Sequence, residues 1–326
     1  MIVKHIIGYL SAYIRSMRLY YAFITGITGW VGVAFYQFLN PTQTSFARSF
    51  LILLLLFLSW GVNQIINDYL GLAEDRINAP HRPMVTGELP VRFALTLTAV
   101  LLLGTLVVSC LLNPWSLLPV VLGIALNVLY EYAKAWSVLG NLVFGVMIAM
   151  CAVFGFLACG PAPEILFTSN RICGLAIIVA ANGLMTFFTY FKDYHGDRLA
   201  GKNTFIARHG LRIGRVAGLV GTVLLFVLLV LFIAVGWLPP ADILFPQSFV
   251  FCCLVAAFLQ FWTVYLYFRN PSGRATYFNL RYNFRACVAT EIALIALFNE
   301  RLALYLLVVS YILIGFLFAF HTDEKA

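Results

Sequence analysis

Residues 49–83 read SFLILLLLFLSWGVNQIINDYLGLAEDRINAPHRP, a largely apolar run that ends in acids and bases. The apolar part is long enough to cross the hydrocarbon layer of a membrane as a helix, in which backbone amides find their partners within the helix itself. The polar part, residues 67–83, follows without a break. This order predicts a membrane helix that carries polar side chains to one face of the bilayer.

The rest of the chain has the same apolar character. Of its 326 residues, 62% are hydrophobic and 10% are charged. The seven cysteines lie in apolar segments with no CxxC spacing, so neither a disulfide framework nor a thiolate metal site is indicated. We therefore predict an all-α polytopic membrane protein in which residues 1–326 form a single transmembrane helical domain.

The apolar segments provide ten candidate membrane spans. We place them near residues 19–38, 48–67, 92–112, 115–133, 138–158, 172–191, 215–237, 248–268, 284–298 and 302–321. The ninth segment is short and carries Glu291, so nine spans with one shallow helix is the alternative.

Lysine and arginine residues are distributed unevenly across this arrangement. With the N-terminus inside, 18 of the 21 fall in segments on the cytoplasmic side. Cytoplasmic loops of membrane proteins carry such an excess, so we predict that both termini and the polar loops face the cytoplasm. The net charge of +8 therefore describes topology and contact with membrane lipid, and no nucleic-acid partner is indicated.

A second polar stretch, YFKDYHGDRLAGKNT at residues 190–204, follows an apolar segment in the other half of the chain. Like residues 67–83, it ends an even-numbered span, so both stretches are predicted on the same side of the membrane. Each half of the domain thus contributes one acidic motif.

Carboxylates recur at helical spacing in both motifs. On an α-helix Asn67, Gly71 and Asp75 share one face, since each is four residues from the next. Asp193 and Asp197 have the same spacing. Two such helix ends facing each other offer oxygen ligands only, and Mg²⁺ prefers one or two carboxylates together with waters and substrate phosphates.

Basic residues accompany these acids. They are Arg76, Arg82, Lys192, Arg198 and Lys202. Acids and bases interleaved at one depth suit a metal-bridged diphosphate, because the metal and the cations share its negative charge. The alternative is a pair of solvated loops with surface ion pairs, each worth under about 1 kcal/mol. The repetition of the acidic spacing in both halves favours a site.

Aromatic residues make up 16% of the chain, and five of them lie beside the acids. They are Tyr69, Phe187, Phe188, Tyr190 and Tyr194. The faces of their rings are candidates for stabilising a carbocation. The alternative is that they are lipid-facing, interfacial or core residues.

The two polar stretches resemble the two aspartate-rich motifs of the UbiA superfamily of intramembrane prenyltransferases. LYEYAKAWSVLGNLVFG, residues 129–145, resembles the connector between the fourth and fifth helices of that superfamily. The resemblance implies a nine-helix bundle around a central cavity that opens laterally to lipid. Residues 302–321 would then be a tenth, C-terminal helix.

The resemblance also implies roles for matching residues. Asn67, Asp75, Asp193 and Asp197 would be the catalytic, metal-binding set, with Asp68 as a further metal ligand, and Arg18, Arg82, Lys134, Lys192, Arg198 and Lys202 would contact the diphosphate. The implied partners are Mg²⁺ and an isoprenyl diphosphate of the geranyl, farnesyl or geranylgeranyl class. No obligatory protein partner is indicated.

Gly71 departs from the pattern of these prenyltransferases, which typically carry NxxxDxxxD where this chain has NxxxGxxxD. Loss of a carboxylate weakens a metal site unless Asp68 or Glu74 turns inward to replace it. The glycine variant resembles that of UbiA-type terpene cyclases, so we predict cyclisation of the prenyl chain to a terpene. The alternatives are transfer to an aromatic or other lipophilic acceptor, and a glycine that only permits a bend or close packing.

A membrane transporter is the alternative from a different functional class. Transporters place functional charges near the middle of the membrane, at broken helices. Here the carboxylates cluster at the predicted cytoplasmic ends of spans, which disfavours transport.

Overall fold

The computed structural model describes residues 2–41, 44–160, 167–199, 201–238 and 246–320. Within these ranges the chain forms α-helices and short 3₁₀ turns, and no strand. The helices are α1 (Ile2–Ser16), α2 (Ala22–Leu39), α3 (Phe46–Leu70), α4 (Leu72–Asn78), α5 (Pro83–Thr86), α6 (Val91–Leu112), α7 (Leu117–Ala133), α8 (Leu139–Cys159), α9 (Ser169–Leu199), α10 (Phe205–Ala234), α11 (Gln247–Arg269), α12 (Ala275–Ala296) and α13 (Glu300–Phe320). Ala200 of the second motif and His321 of the last predicted span lie outside the described residues.

Nine segments of the described chain are helical, long and apolar enough to cross a membrane. They comprise α2, α3, α6, α7, α8, α9, α10, α11 and α13, two of them extended by adjoining 3₁₀ turns. The protein is thus an integral membrane protein, and the prediction of an all-α bundle with a tenth, C-terminal helix is confirmed.

The ninth predicted span was wrong in its length, because α12 has 22 residues and begins at Ala275. Its polar side chains lower the hydropathy of the sequence but contact other helices. Oε1 of Glu291 accepts hydrogen bonds from Thr28 and Asn182, both at 2.6 Å. Asn283 donates to a backbone carbonyl of α9 at 2.7 Å. The helix is therefore interior to the bundle rather than shallow.

Glycines let α2 and α8 approach closely at the centre of the bundle. A Cβ atom on Gly32 would collide with the backbone of Ala152, and one on Gly155 would collide with the carbonyl of Gly29. Small residues at such crossings bring helix backbones into van der Waals contact, which is a main source of helix association in membranes. α8 also packs against α3 and α9, so it joins the helices that carry the two motifs.

The first motif contains one break in its helix. The sequence predicts that Asn67, Gly71 and Asp75 share a continuous helix, but α3 ends at Leu70 and Gly71 has φ −92° and ψ 13°. The amide of Gly71 still donates to the carbonyl of Asn67 at 2.8 Å, and that of Asp75 donates to the carbonyl of Gly71 at 2.9 Å. The three residues therefore keep their common face across the bend.

Candidate active site

A polar pocket with a volume of about 130 Å³ lies where α3, α7 and α9 end. Its lining includes the acids Asp68, Glu74, Asp75, Glu131, Asp193 and Asp197, the bases Arg18, Arg82, Lys134, Lys192 and Lys202, and the uncharged residues Gln64, Asn67, Gly71, Thr186, Thr189 and Thr204. The two motifs, about 120 residues apart in sequence, therefore meet in space, as paired polar ends of a bundle require.

Arg18 and Asp68 form the most buried ion pair of the pocket. Nη2 of Arg18 lies 2.7 Å from Oδ1 of Asp68, which also accepts a hydrogen bond from Gln64 at 2.8 Å. Arg82 approaches the same oxygen at 3.7 Å. Arg18 has φ 47° and ψ 65°, a left-handed conformation that costs a non-glycine residue about 1 kcal/mol. The chain holds this arginine at the pocket despite the strain, and such strain recurs at functional sites.

Asp75 and Arg82 form a second ion pair. Asp75 lies in the first turn of α4, where a negative charge is favourable because of the exposed amides of a helix N-terminus. Burial raises the pKa of the Asp75 carboxyl, and the neighbouring Arg82 opposes that shift. The arginine thus offsets part of the cost of burying this carboxylate.

In the second motif the acids follow a polar stripe along α9. The pocket side of this helix carries Thr186, Thr189, Tyr190, Asp193 and Asp197, at the three- and four-residue spacing of one helical face. The hydroxyl of Thr204, the residue that caps α10, donates to Oδ2 of Asp197 at 3.2 Å. The start of α10 thereby positions Asp197.

Four charged residues alternate across the mouth of the pocket. Nζ of Lys202 lies 2.7 Å from Glu74 and 3.7 Å from Glu131. Glu131 also pairs with Lys134, three residues later. Our sequence analysis did not identify Glu131, although it lies within the connector that resembles the superfamily, between Tyr130 and Lys134.

The structure corrects four of the five aromatic predictions. Within the described residues the pocket lining includes Tyr190, whereas Tyr69, Phe187, Phe188 and Tyr194 lie elsewhere. Each residue of an α-helix turns the side chain by about 100°, so Tyr69 points away from Asn67 and Phe188 points away from Asp193. Tyr69 is 44% exposed, and Phe187 and Phe188 are buried in the core.

Arg198 is also turned away from the pocket. Its side chain is exposed, and Nη1 donates to the hydroxyl of Tyr194 at 2.9 Å. The two residues are four apart, so they form a pair on the outer face of α9. The prediction that Arg198 contacts the diphosphate is not supported by this position.

The inner wall of the pocket is lined by a group of aromatic rings in which Tyr190 is the one that the sequence predicted. They are Tyr21, Trp60, Tyr130, Phe144 and Tyr190. The rings of Tyr21 and Trp60 stack with centroids 4.4 Å apart, and Phe144 lies edge-on to both Trp60 and Tyr130. Trp60 was detectable in the sequence, because it lies seven residues before Asn67 and therefore on the same helical face.

An apolar cavity of about 500 Å³ adjoins the polar pocket. It lies among α3, α6, α7 and α8, and it shares Trp60, Gln64 and Asn67 with the pocket lining. Val100 lines this cavity and is 61% exposed, so the cavity reaches the lipid-facing surface of the bundle. The polar pocket and the apolar cavity are thus adjacent, with Trp60, Gln64 and Asn67 between them.

The donor set of the pocket fits a magnesium ion that is shared with a phosphate ligand. Within the described ranges, no three His, Cys, Asp or Glu side chains are grouped closely enough to hold a metal alone. Oδ1 of Asn67, however, is buried and has no hydrogen-bond partner among the described residues. One amide oxygen and the nearby carboxylates match the few protein ligands that Mg²⁺ takes when phosphate and water complete its shell.

Comparison with known proteins agrees with this geometry. Residues 22–288 match the family described as the UbiA prenyltransferase family. The chain belongs to this family. Among its UbiA relatives, the digeranylgeranylglyceryl phosphate synthase of Korarchaeum cryptofilum is 30% identical over 211 residues, which are 63% of this chain and 70% of that protein. The bacteriochlorophyll synthase 33 kDa chain of Rhodobacter capsulatus is 26% identical over 235 residues, covering 67% and 71%.

Solved UbiA structures share the fold. A UbiA homologue from Archaeoglobus fulgidus bound to DMAPP and Mg²⁺ matches with a TM-score of 0.62 at 17% identity, covering 84% of this chain and 98% of that one. An apo UbiA homologue from Aeropyrum pernix K1 matches with a TM-score of 0.63 at 17% identity, covering 86% and 94%. These likenesses confirm the UbiA-like bundle.

Proposed function

We propose that this protein transfers a prenyl group, inside the membrane, from an isoprenyl diphosphate to a lipophilic acceptor. The observation that carries the proposal is that the polar pocket and the apolar cavity are adjacent and share Trp60, Gln64 and Asn67 in their linings. One ligand with a charged head and a long apolar tail fills both, and an isoprenyl diphosphate has that form. The exposed position of Val100 supports entry of the tail from the lipid.

The pocket's cations would hold the diphosphate. Arg18 and Arg82 lie on one side, with Lys192 and Lys202 contributed by the second half of the chain. Arginine binds phosphate oxygens in a bidentate manner, and lysine adds a movable point charge. The excess of basic residues in the adjoining loops supports a cytoplasmic orientation of this end.

Asn67, Asp75, Asp193 and Asp197 are the residues that would hold Mg²⁺. The bound ion would neutralise the charge that develops on the departing pyrophosphate. Structures of UbiA homologues bound to Mg²⁺ with either DMAPP or GPP support the choice of Mg²⁺ as the metal. Burial of the pocket strengthens these charge interactions, because little water screens them.

In the reaction, the bond between the first prenyl carbon and the diphosphate oxygen breaks, and its electron pair leaves with the oxygen. The allylic carbon then bonds to the acceptor, which releases a proton. Trp60 lines both the pocket and the apolar cavity, and Phe144 packs edge-on against Trp60 and Tyr130 in the pocket wall, so these rings can stabilise positive charge and exclude water. Pyrophosphate is itself a suitable acceptor for the proton.

Transfer is better supported than cyclisation. The relatives named above are synthases of digeranylgeranylglyceryl phosphate and of bacteriochlorophyll, and both names describe products larger than a cyclised terpene. The observation on the side of cyclisation is Gly71, in the variant first motif. The two reactions differ in whether an acceptor is required, which makes them separable by experiment.

The test uses the full chain in membranes or detergent. The protein is incubated with Mg²⁺ and geranyl, farnesyl or geranylgeranyl diphosphate, first alone and then with a quinone precursor or geranylgeranylglyceryl phosphate. We expect pyrophosphate and a prenylated acceptor, detected by mass spectrometry, only when Mg²⁺ and an acceptor are both present. Terpene hydrocarbons without an acceptor would establish cyclisation instead, and no consumption of any donor would refute both reactions.

A substitution in the apolar cavity tests whether the prenyl tail of the donor binds there. Gly123 lines the cavity, and the nearest heavy atom to a Cβ placed there is Cβ of Met150 at 4.0 Å. Gly123→Phe fills the cavity, so we expect about a tenfold loss of turnover with geranylgeranyl relative to geranyl diphosphate. Leu118→Phe, on the exposed face of α7, is the control and should leave the ratio unchanged. An unchanged ratio for Gly123→Phe would contradict tail binding here.

A further inference from the structure

Other carboxylates occupy the space that a side chain at position 71 would reach. A Cβ atom on Gly71 would lie 3.3 Å from Oε2 of Glu74 and 3.6 Å from Oε1 of Glu131. The backbone angles of Gly71, φ −92° and ψ 13°, are open to residues other than glycine. The carbonyl oxygen of Asn67 would lie 3.1 Å from the same Cβ, so a side chain here requires a small shift, and the carboxylate neighbours are the feature of this position that bears on a metal.

Three acids are candidates to replace the carboxylate that the motif lacks. Asp68 is engaged by Arg18 and Gln64 through its Oδ1 atom. The side chain of Glu74 is 30% exposed and pairs with Lys202 at the mouth. The side chain of Glu131 is only 8% exposed, and it enters the pocket from α7, a helix outside both acidic motifs.

We propose that Glu131 supplies the carboxylate missing at Gly71, as an additional metal-positioning residue of the site. The inference rests on the proposed function, because it assumes a metal-bound diphosphate in this pocket. Lys134 and Lys202 form ion pairs with the Glu131 carboxylate. When a diphosphate enters, these lysines gain phosphate oxygens as partners, and Glu131 can turn toward the cation.

The test measures metal binding directly. Mn²⁺, a spectroscopically visible substitute for Mg²⁺, is titrated in the presence of inorganic pyrophosphate into purified wild type, Glu131→Gln and Glu88→Gln. We expect Glu131→Gln to weaken Mn²⁺ binding by about tenfold. Glu88 is a matched surface glutamate that pairs with Arg15, and its substitution should leave binding unchanged.

A double variant tests the spatial replacement itself. Gly71→Asp combined with Glu131→Gln returns one carboxylate to the same region from the other helix, so we expect most of the Mn²⁺ affinity to return. A purely structural role for Glu131 would not give this recovery. If Glu131→Gln does not fold, Glu131→Asp keeps the charge but withdraws it by one methylene group, and it should still bind Mn²⁺ more weakly.

Three results would overturn the proposal. The first is wild-type Mn²⁺ affinity in Glu131→Gln or Glu131→Asp, and the second is no recovery of affinity in the double variant. The third is a change in pyrophosphate affinity, measured without metal, as large as the change in Mn²⁺ affinity. The last result would show that Glu131 only holds the lysines. Failure of the wild type to consume any prenyl diphosphate would instead refute the proposed function, and that assay is independent of the Mn²⁺ titration.

Discussion

The two acidic motifs differ in the groups that stabilise their buried carboxylates. In the first, Asp68 and Asp75 are paired with Arg18 and Arg82. In the second, Asp197 is held by the neutral hydroxyl of Thr204. An arginine partner compensates the charge of a carboxylate, whereas a hydroxyl orients the carboxylate and leaves its charge intact.

We infer from this difference that the two acidic motifs have different roles in the site. The first motif is tied into the fold by buried ion pairs, so its loss should affect stability as well as activity. In the second motif Asp197 is held by a hydrogen bond to a neutral group, so loss of an acid there should affect activity with less effect on the fold. The following substitutions test this division.

The largest effect is expected at Asp193. Asp193→Asn removes a charge from the second motif without changing the size of the side chain. We expect turnover to fall by at least about 100-fold, because charge stabilisation at the reacting centre is lost. The unfolding midpoint in detergent should stay close to that of the wild type. Full turnover in this variant would remove the second motif from the mechanism.

The next effect concerns the stability of the first motif. Asp68→Ala removes the carboxylate 2.7 Å from Arg18, whose side chain is 9% exposed. We expect a loss of about 3 kcal/mol in the free energy of unfolding, since a buried charge loses its partner. Glu88→Ala, in an exposed ion pair with Arg15, is the control and should cost about 0.5 kcal/mol. Equal losses of unfolding free energy in the two variants would contradict the stabilising role of the first motif.

A smaller effect is expected at the hydroxyl of the second motif. Thr204→Val removes the hydrogen bond to Asp197, so we expect turnover to fall about fivefold, the equivalent of one hydrogen bond. Thr204 also caps α10, and the lost cap costs stability. Ser45→Ala removes the cap of α3, which lies away from the pocket, and serves as the control. Similar turnover in both variants would show that Thr204 acts only as a cap.

The smallest effects are expected at the outward-facing tyrosines of the two motifs. Tyr69→Leu and Tyr194→Leu, which remove the aromatic ring, should each change turnover by less than about twofold, because neither side chain lines the pocket. Steady-state assays with the preferred donor measure this directly. A large loss in either variant would restore the role in cation stabilisation that the structure argues against.

Helical period alone predicts which acids of the second motif share a face. Asp193 and Asp197 face one pocket because they are four residues apart on α9. The error at α12 arose because hydropathy measures side chains one by one, and Glu291 is satisfied by Thr28 and Asn182 from other helices. Four of the five aromatic predictions were wrong for a related reason. These residues were chosen because they are close to the acids in sequence, and the direction in which the helix turns their side chains was not considered.

The sequence by itself determined the membrane helices, the two acidic motifs and their common end of the bundle, because hydropathy and helical spacing are local properties of the chain. Only the tertiary structure decided that Arg18 pairs with Asp68, and that Glu131 lies beside Gly71. These contacts join residues that are 50 or more positions apart in the sequence, and no local pattern specifies which helices meet. The packing of α1 and α7 against α3 brings them together.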